Sequence, residues 1–180
     1  MARHFGWVIS SSKRLLSDTL AAYPILADMA LRFTSTLDKA HRAELEELLF
    51  FHPQQGRFHD TLLDSVETHG APRIVERDGK LRIQVPSLED SQTLYAVIED
   101  ALTLELVGVV VFARIKASEL GVLHIAVKDK YTAHGPKSDQ LITFQLIEEL
   151  RRVGHRIAGI QGVRLAYKRG KVFLSTLQPV

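Results

Sequence analysis

The chain has no cysteine among its 180 residues, and this absence excludes several kinds of site. Disulfide frameworks, cysteine-ligated zinc, iron–sulfur clusters and thiol catalysis all need that residue. No apolar run approaches the roughly 18–20 residues that span a bilayer. The opening residues, Met1–Trp7, also hold no apolar stretch long enough for a secretory signal. We therefore expect a cytoplasmic protein without membrane segments.

Several catalytic and metal-binding motifs are also missing. The sequence contains no Gly-x-Ser-x-Gly elbow, no Walker loop and no Rossmann glycine fingerprint. His52, His59 and His69 lie close in sequence, but no His-x-x-x-His or Glu-x-x-His pair accompanies them. His59 and Asp60 are adjacent, so a helix cannot direct both to one site. We expect no metal site.

What the chain does have is the balance of a globular protein, with 46% hydrophobic and 24% charged residues. Its charge is uneven: residues 128–180 hold ten basic and four acidic residues, whereas residues 1–127 hold 13 and 17. A basic C-terminal third suits an anionic partner, either a phosphate-bearing cofactor or nucleic acid, or is simply a solvated surface. Lys168–Lys171 carries no interleaved aromatic residue, so nucleic acid is the less favoured partner.

Helical spacing dominates the first 70 residues. A first helix carries apolar residues three and four apart, namely Leu16, Leu20, Tyr23, Ala27, Ala30 and Phe33. Asp38 is placed to cap a second helix that turns Leu45, Leu48 and Leu49 inward. Its acidic residues, among them Glu44, are interpreted as a solvated face, and a surface for a cation or a basic partner is the alternative. A third helix begins near Arg57 and ends at Gly70. Residues 1–70 are therefore predicted as a helical N-terminal region, and residues 71–180 as an α+β domain.

The pattern changes to alternation after Pro72. Arg73–Val85 predicts a hairpin whose Asp78-Gly79 pair forms a type I′ turn. Ser87 starts a near capping box, and the spacing of Leu88, Leu94, Tyr95, Ile98 and Leu102 predicts a helix.

Two apolar strands are expected next. The first, Leu106–Ala113, is continuous and β-branched, so it should be buried on both faces. The second, Gly121–Val127, follows after a short connection, which predicts antiparallel neighbours. A polar loop leads into a helix over 139–153 that Gly154 should end, and a hairpin over 163–175 closes the chain.

The succession of strand, polar loop and helix predicts an anion site. A helix start presents unpaired N–H groups and the positive end of the helix dipole. Gly135 permits close backbone approach, and Lys128, Lys130 and Lys137 add positive charge. A pyrophosphate is the anion that fits such a loop.

Two strings here resemble the coenzyme-A-binding core of the GCN5-related N-acetyltransferase (GNAT) superfamily. Leu106–Arg114 is similar to the third strand of that family, and Leu123–Tyr131 is similar to its fourth. In the family an (Arg/Gln)-x-x-Gly-x-(Gly/Ala) loop follows, whose amides hold the cofactor pyrophosphate. Thr132 and Gly135 fall at its first and fourth positions, and Lys137 replaces the final glycine.

The resemblance implies a set of site residues. Acetyl-coenzyme A, or another acyl-coenzyme A, would lay its pantetheine arm along Ile125, Ala126 and Val127. The loop residues that would hold its phosphates are Thr132, Gly135, Lys137 and Ser138. His124 lies close to the position of a fourth-strand histidine that serves as general base in some members, and Tyr167 is the candidate general acid. His124 and Val127 have an odd offset and should face opposite sides of the sheet, so a structural role for His124 is the alternative.

We therefore expect an α+β protein with a GNAT-like, mixed and mostly antiparallel sheet flanked by helices, preceded by a helical region. The leading function is an acyl-coenzyme-A-dependent N-acyltransferase that passes an acyl group to an amine, in active or degenerate form. The alternative is a non-catalytic binding or regulatory module on the same fold, favoured by Lys137, by Pro136, which has no amide hydrogen, and by the lack of a helix after Tyr167. A homodimer is compatible with either function, since residues 1–70 can dock on the sheet or on a second subunit.

Overall fold

The computed structural model describes residues 30–51, 66–99, 103–166 and 173–176, and this part of the chain forms two sheets and two helices of nine or more residues. The strands are β1 (Ala30–Thr34), β2 (Leu37–Asp38), β3 (Arg73–Arg77), β4 (Lys80–Gln84), β5 (Gln92–Glu99), β6 (Leu104–Lys116), β7 (Glu119–Val127), β8 (Gly162–Leu165) and β9 (Phe173–Thr176). The helices are α1 (Arg42–Phe50) and α2 (Ile142–Arg156). Short 3₁₀ turns occupy Lys39–His41, Asp129–Tyr131 and Ser138–Gln140, and residues 66–69 are helical.

The larger sheet has the strand order β1-β5-β6-β7-β8-β9. All its pairings are antiparallel except that of β7 with β8, which is parallel. A parallel neighbour needs a crossover connection, and α2 provides it. The smaller sheet has the order β2-β4-β3 and is antiparallel throughout. The predicted α+β class with a mostly antiparallel sheet is confirmed.

The larger sheet is buried on both faces. On one face α2 packs against alternate residues of β5, with Leu94, Ala96 and Ile98 in that core. On the other face α1 and the smaller sheet cover Tyr95 and Val97. Residues 106–113 of β6 are buried throughout, as their continuous apolar sequence predicts. We call these two sides the α2 face and the α1 face.

Two side chains of β5 join the sheets. Thr93 Oγ1 accepts a hydrogen bond from the Ile83 amide at 3.2 Å, and the Tyr95 hydroxyl donates to the Leu81 carbonyl at 3.2 Å. Burial raises the pKa of Tyr95 to about 12, because the apolar surroundings disfavour the phenolate. The smaller sheet is thereby held in a defined position on the α1 face.

The helix predicted over 88–102 is wrong. Residues 92–99 form β5, and the six residues from Thr93 to Ile98 are all buried. A short continuous apolar run has no periodicity that separates a helix from a strand buried on both faces. Pairing with β1 and β6, which lie far away in sequence, decides for the strand.

The first predicted helix of the N-terminal region is wrong at its C-terminal end, which is the part of it that the structure describes. Ala30 and Phe33, assigned to the first helix, lie in β1, an edge strand that pairs with β5. Leu31 and Phe33 both pack against the core on the α2 face, which is the two-residue period of a strand. The remainder of that helix, in residues 1–29, lies outside the described residues, as do residues 52–65. The described part of the region packs on the larger sheet of the same chain.

Several local predictions are confirmed. Asp78 and Gly79 have φ values of 53° and 71°, as a type I′ turn requires, and join β3 to β4. Asp38 caps the turn before α1 by accepting from the Ala40 amide at 3.0 Å, and the three predicted leucines of α1 are buried. Gly70, at φ 82°, follows the helical residues 66–69.

The predicted end of the last helix is wrong. Gly154 does not end it, since α2 continues to Arg156.

Candidate functional site

A β-bulge lies in the middle of β7, beside the predicted site residues His124 and Ile125. Val122 pairs with Phe112 of β6 and His124 pairs with Val111, so Leu123 is an additional residue. As a result Leu123 and His124 share the α1 face, whereas Val122 and Ile125 lie on the α2 face. The bulge gives His124 and its neighbour the same side of the sheet.

The second edge of β7 is paired with β8 along its first four residues. The pairing runs from Glu119 to Val122, and the Ala166 amide adds a hydrogen bond to the Val122 carbonyl at 2.9 Å. Residues 123–127 of β7 therefore extend beyond the end of β8. Ile125, Ala126 and Val127, predicted to run beside pantetheine, lie in this extension and alternate between the α2 face and the α1 face.

The loop from Lys128 to Leu141 is folded on itself. The Gly135 amide donates to the Thr132 carbonyl at 2.9 Å, and the Lys137 amide donates to the Lys130 carbonyl at 2.8 Å. The amides of Thr132 and Ser138 donate to carbonyls of the same loop, those of Asp129 at 3.1 Å and Gly135 at 3.2 Å. All four residues predicted to hold phosphate are brought together in this loop, but their N–H groups point to carbonyl oxygens of the loop.

Gly135 sits where the two halves of the loop touch. A Cβ atom at this position would meet the Asp129 carbonyl and would lie 2.6 Å from the Lys130 carbonyl oxygen. Only a residue without a side chain permits this approach of backbone to backbone. The space beside Gly135, which the sequence assigns to a phosphate, is therefore filled by the backbone of Asp129 and Lys130.

The lysines at the start of the loop are paired with carboxylates. Lys128 Nζ lies 3.1 Å from Glu44 Oε2 and 3.4 Å from Glu105 Oε1, and Lys130 Nζ lies 2.7 Å from the same Glu105 oxygen. Glu44 lies on the side of helix α1 that is predicted to be solvated, and no motif in the sequence points to Glu105. We call Glu44, Glu105, Lys128 and Lys130 the charge cluster; it neutralises two of the three lysines expected to attract an anion.

Tyr131 anchors the loop beneath this cluster. Its side chain is buried among the residues of the α2 face, and its hydroxyl lies 3.2 Å from Glu105 Oε2. Burial and the adjacent Glu105 carboxylate raise the pKa of Tyr131 to about 12. Lys130 and Lys137 place their ammonium groups 5.1 Å and 5.4 Å from the centre of its ring. Lys137 therefore covers an aromatic ring of its own loop.

Burial and the neighbouring side chains shift the pKa of Glu105 in opposite directions. Desolvation alone would raise the pKa of this carboxyl, but the hydrogen bond from Lys130, the charges of Lys128 and Lys130 and the Tyr131 hydroxyl together lower it. The carboxylate is therefore charged at neutral pH and holds both lysines. This arrangement stabilises the closed form of the loop.

A cavity of about 210 Å³ opens on the α1 face beside the bulge. His124, Leu123 and Val111 line it from the larger sheet, and His69 lines it from the end of the helical residues 66–69. The sequence placed His124 on the side of the sheet opposite to Val127, and the structure agrees. It did not predict that His69, considered only as a metal ligand, would lie at the same cavity as His124.

The predicted site residues thus fall into separate groups. His124 lies at the cavity, the four residues predicted to hold phosphate lie in the loop before α2, and Tyr167 lies outside the described residues. Within the described ranges, no group of three or more acidic or histidine residues is arranged to hold a metal ion, and no helix has the length and apolarity to cross a membrane. Comparison with protein-family models, curated proteins and solved structures found no match to this chain.

Proposed function

We propose that this chain is a non-catalytic binding module on a GNAT-like sheet. In this module the loop from Lys128 to Leu141, which would hold phosphate in the family, has a structural role instead. The observation that carries the proposal is the closed loop: the amides of Gly135, Lys137 and Ser138 donate within it. A diphosphate needs several N–H groups that converge on one point and are not already bonded. Opening this loop would break those bonds and separate Gly135 from the Lys130 carbonyl.

The order of elements supports the GNAT-like part of the proposal. Two long antiparallel strands, β6 and β7, are followed by a loop, by α2 and by β8, which is parallel to β7. This is the succession that the resemblance of residues 106–153 implies. The charge cluster supports the binding-module part, because it neutralises Lys128 and Lys130 instead of leaving them for an anion.

Acetyl-coenzyme A tests the proposal directly. We expect no concentration-dependent rise in the melting temperature of the full chain up to about 1 mM ligand. A ligand present at 100 times its Kd adds about 2.7 kcal/mol to the free energy of unfolding, which is a shift of several degrees. A saturable shift of that size, reduced in Lys137→Glu and retained in Lys39→Glu, a change of an exposed lysine on the α1 face, would overturn the proposal.

An N-acyltransferase is the second candidate, and the position of His124 favours it. This histidine lies in β7 at the bulge and borders a cavity that could hold a small acceptor. An imidazole has the proton affinity that a general base needs near neutral pH. Release of free coenzyme A thiol from acetyl-coenzyme A in the presence of a panel of amines measures this activity. Activity that is lost in His124→Gln would make the enzyme the better description.

A further inference from the structure

We infer that the cavity on the α1 face is a binding site for a small aromatic acid, a single ring that carries one carboxylate. The inference rests on the proposed function, because it gives the binding module a ligand. The volume, about 210 Å³, sets the size of that ligand. A dry apolar cavity of about 150 Å³ in another protein accommodates benzene, so this one has room for a ring with a short substituent.

The walls of the cavity are mostly apolar. Aliphatic and aromatic side chains make up most of the lining, among them Leu49, Phe50, Val66, Val85, Val111 and Leu123. Burying an apolar ring against them is favourable in proportion to the area removed from water. Phe50 and Val66 are 40% and 38% exposed, so the walls continue to the surface and leave a way in.

Two histidines supply the polar end of the site. Among the lining residues that the structure describes, His69 and His124 are the ones with an ionisable side chain, and none is an aspartate, glutamate, lysine or arginine. An imidazole carries at least one N–H donor in every protonation state, and its two nitrogens can serve different partners. Such walls suit a ligand with acceptor oxygens and give an ammonium group no carboxylate to pair with.

The backbone around His69 is held in place. The Ser87 hydroxyl and amide donate to the His69 carbonyl at 2.8 Å and 3.2 Å, and the Gly70 amide donates to the Val66 carbonyl at 2.8 Å. The carbonyl of His69 is therefore already occupied by the protein. A segment that is fixed before binding loses little freedom when a ligand enters, so less of the binding energy is spent on ordering it.

Three ligands that share a phenyl ring and differ in their polar group show which polar group the cavity prefers. Benzoate, benzyl alcohol and benzylamine are titrated into the ¹⁵N-labelled full chain and followed by amide chemical shifts. We expect benzoate to bind with a Kd in the millimolar range or below, to move amides of residues 69–72 and 122–124, and to bind at least about fivefold more tightly than benzylamine. His69→Ala and His124→Ala should each weaken benzoate by about fivefold, the cost of one hydrogen bond.

A substitution at an exposed residue of the cavity wall tests the site without disturbing the fold. Ala71 lines the cavity and is exposed, so Ala71→Trp should block the site while the fold is retained, and Ala71→Ser is the matched control. Benzoate binding that survives Ala71→Trp, or benzylamine that binds as tightly as benzoate, would overturn the inference. So would the lack of any saturable shift.

The same samples are titrated with acetyl-coenzyme A. A chain that binds neither molecule contradicts the aromatic-acid ligand and leaves the closed loop as proposed. Binding of acetyl-coenzyme A instead contradicts the proposed function, whatever benzoate does. The two failures are therefore distinguishable.

Discussion

The ammonium group of Lys130 lies 2.7 Å from Oε1 of Glu105, while the other oxygen of the same carboxylate is 3.2 Å from the Tyr131 hydroxyl. One carboxylate of β6 thus holds two consecutive residues of the loop. We expect Glu105→Gln to lower the pKa of Tyr131 from about 12 towards its usual value of 10.0, because the neighbouring negative charge is gone. Alkaline titration of ¹³C-labelled tyrosine measures this pKa, with Tyr131→Phe to assign the signal. An unchanged Tyr131 pKa would contradict the contact.

Because the pKa of Glu105 is lowered in the folded chain, its contribution to the free energy of unfolding decreases at acid pH. A carboxyl whose pKa is lower in the folded chain contributes stability above its unfolded value, near 4.5, and loses it as the pH falls through the folded value. Glu105→Gln should therefore cost about 1 kcal/mol at pH 7 and progressively less below about pH 4.5. Urea unfolding between pH 3 and pH 7 measures the difference. A penalty that does not depend on pH would assign the effect to packing.

Gly135 is expected to tolerate no side chain in the closed loop. Gly135→Ala brings Cβ to 2.6 Å from the Lys130 carbonyl oxygen, so the backbone must shift, at a cost of about 2 kcal/mol. Gly79→Ala is the control: it has open space but a φ of 71°, and should cost about 1 kcal/mol. Urea denaturation of both variants gives the comparison. A neutral Gly135→Ala would show that the loop is open in solution and would favour the anion site.

The hydroxyl of Thr93 is expected to be essential for the contact between the sheets. Thr93→Val removes the acceptor of the buried Ile83 amide and should cost about 1–3 kcal/mol, since that N–H is left without a partner. Thr93→Ser keeps the hydroxyl and should cost less. Chemical denaturation of the two variants distinguishes a lost hydrogen bond from lost packing, because lost packing would penalise serine, which lacks the γ-methyl, and spare the nearly isosteric valine.

Leu141 holds an unfavourable backbone conformation just before α2. Its φ is 48° and the residue is 60% exposed, so a leucine there has backbone strain and little burial in return. Leu141→Gly should raise the free energy of unfolding by about 1 kcal/mol, because glycine adopts this conformation without a Cβ clash. Thermal and urea unfolding measure the gain. Destabilisation would mean that the leucine side chain makes a contact that outweighs the strain.

Local signals predicted the elements whose conformation is decided within a few residues. Asp78-Gly79 specifies a tight turn, since both residues accept positive φ, and the β-branched run of β6 specifies a strand buried on both faces. The run in β5 has neither a turn residue nor a clear period. It was predicted as a helix because nothing near it in sequence reveals that β1 and β6 will pair with it.

The sequence predicted the elements that hold the candidate residues but not how those residues are bonded. The succession of strand, polar loop and helix located the loop that holds Gly135, and the apolar strand pattern located His124. The bulge at Leu123 and the use of Gly135 for backbone contact depend on pairing across strands and on loop closure. A sequence pattern gives residue types along the chain and does not give the partners of their backbone groups.

By itself the sequence determined the Asp78-Gly79 turn, the apolar strands β6 and β7 and the amphipathic α2, because these follow from backbone preference and hydrophobic period. The tertiary structure decided which charges meet: Glu44 and Lys128 lie 84 residues apart and pair at 3.1 Å, and Glu105 reaches both lysines from β6. It also brought His69 and His124 to one cavity. Coulomb attraction and cavity shape depend on distance in space, which chain separation does not specify.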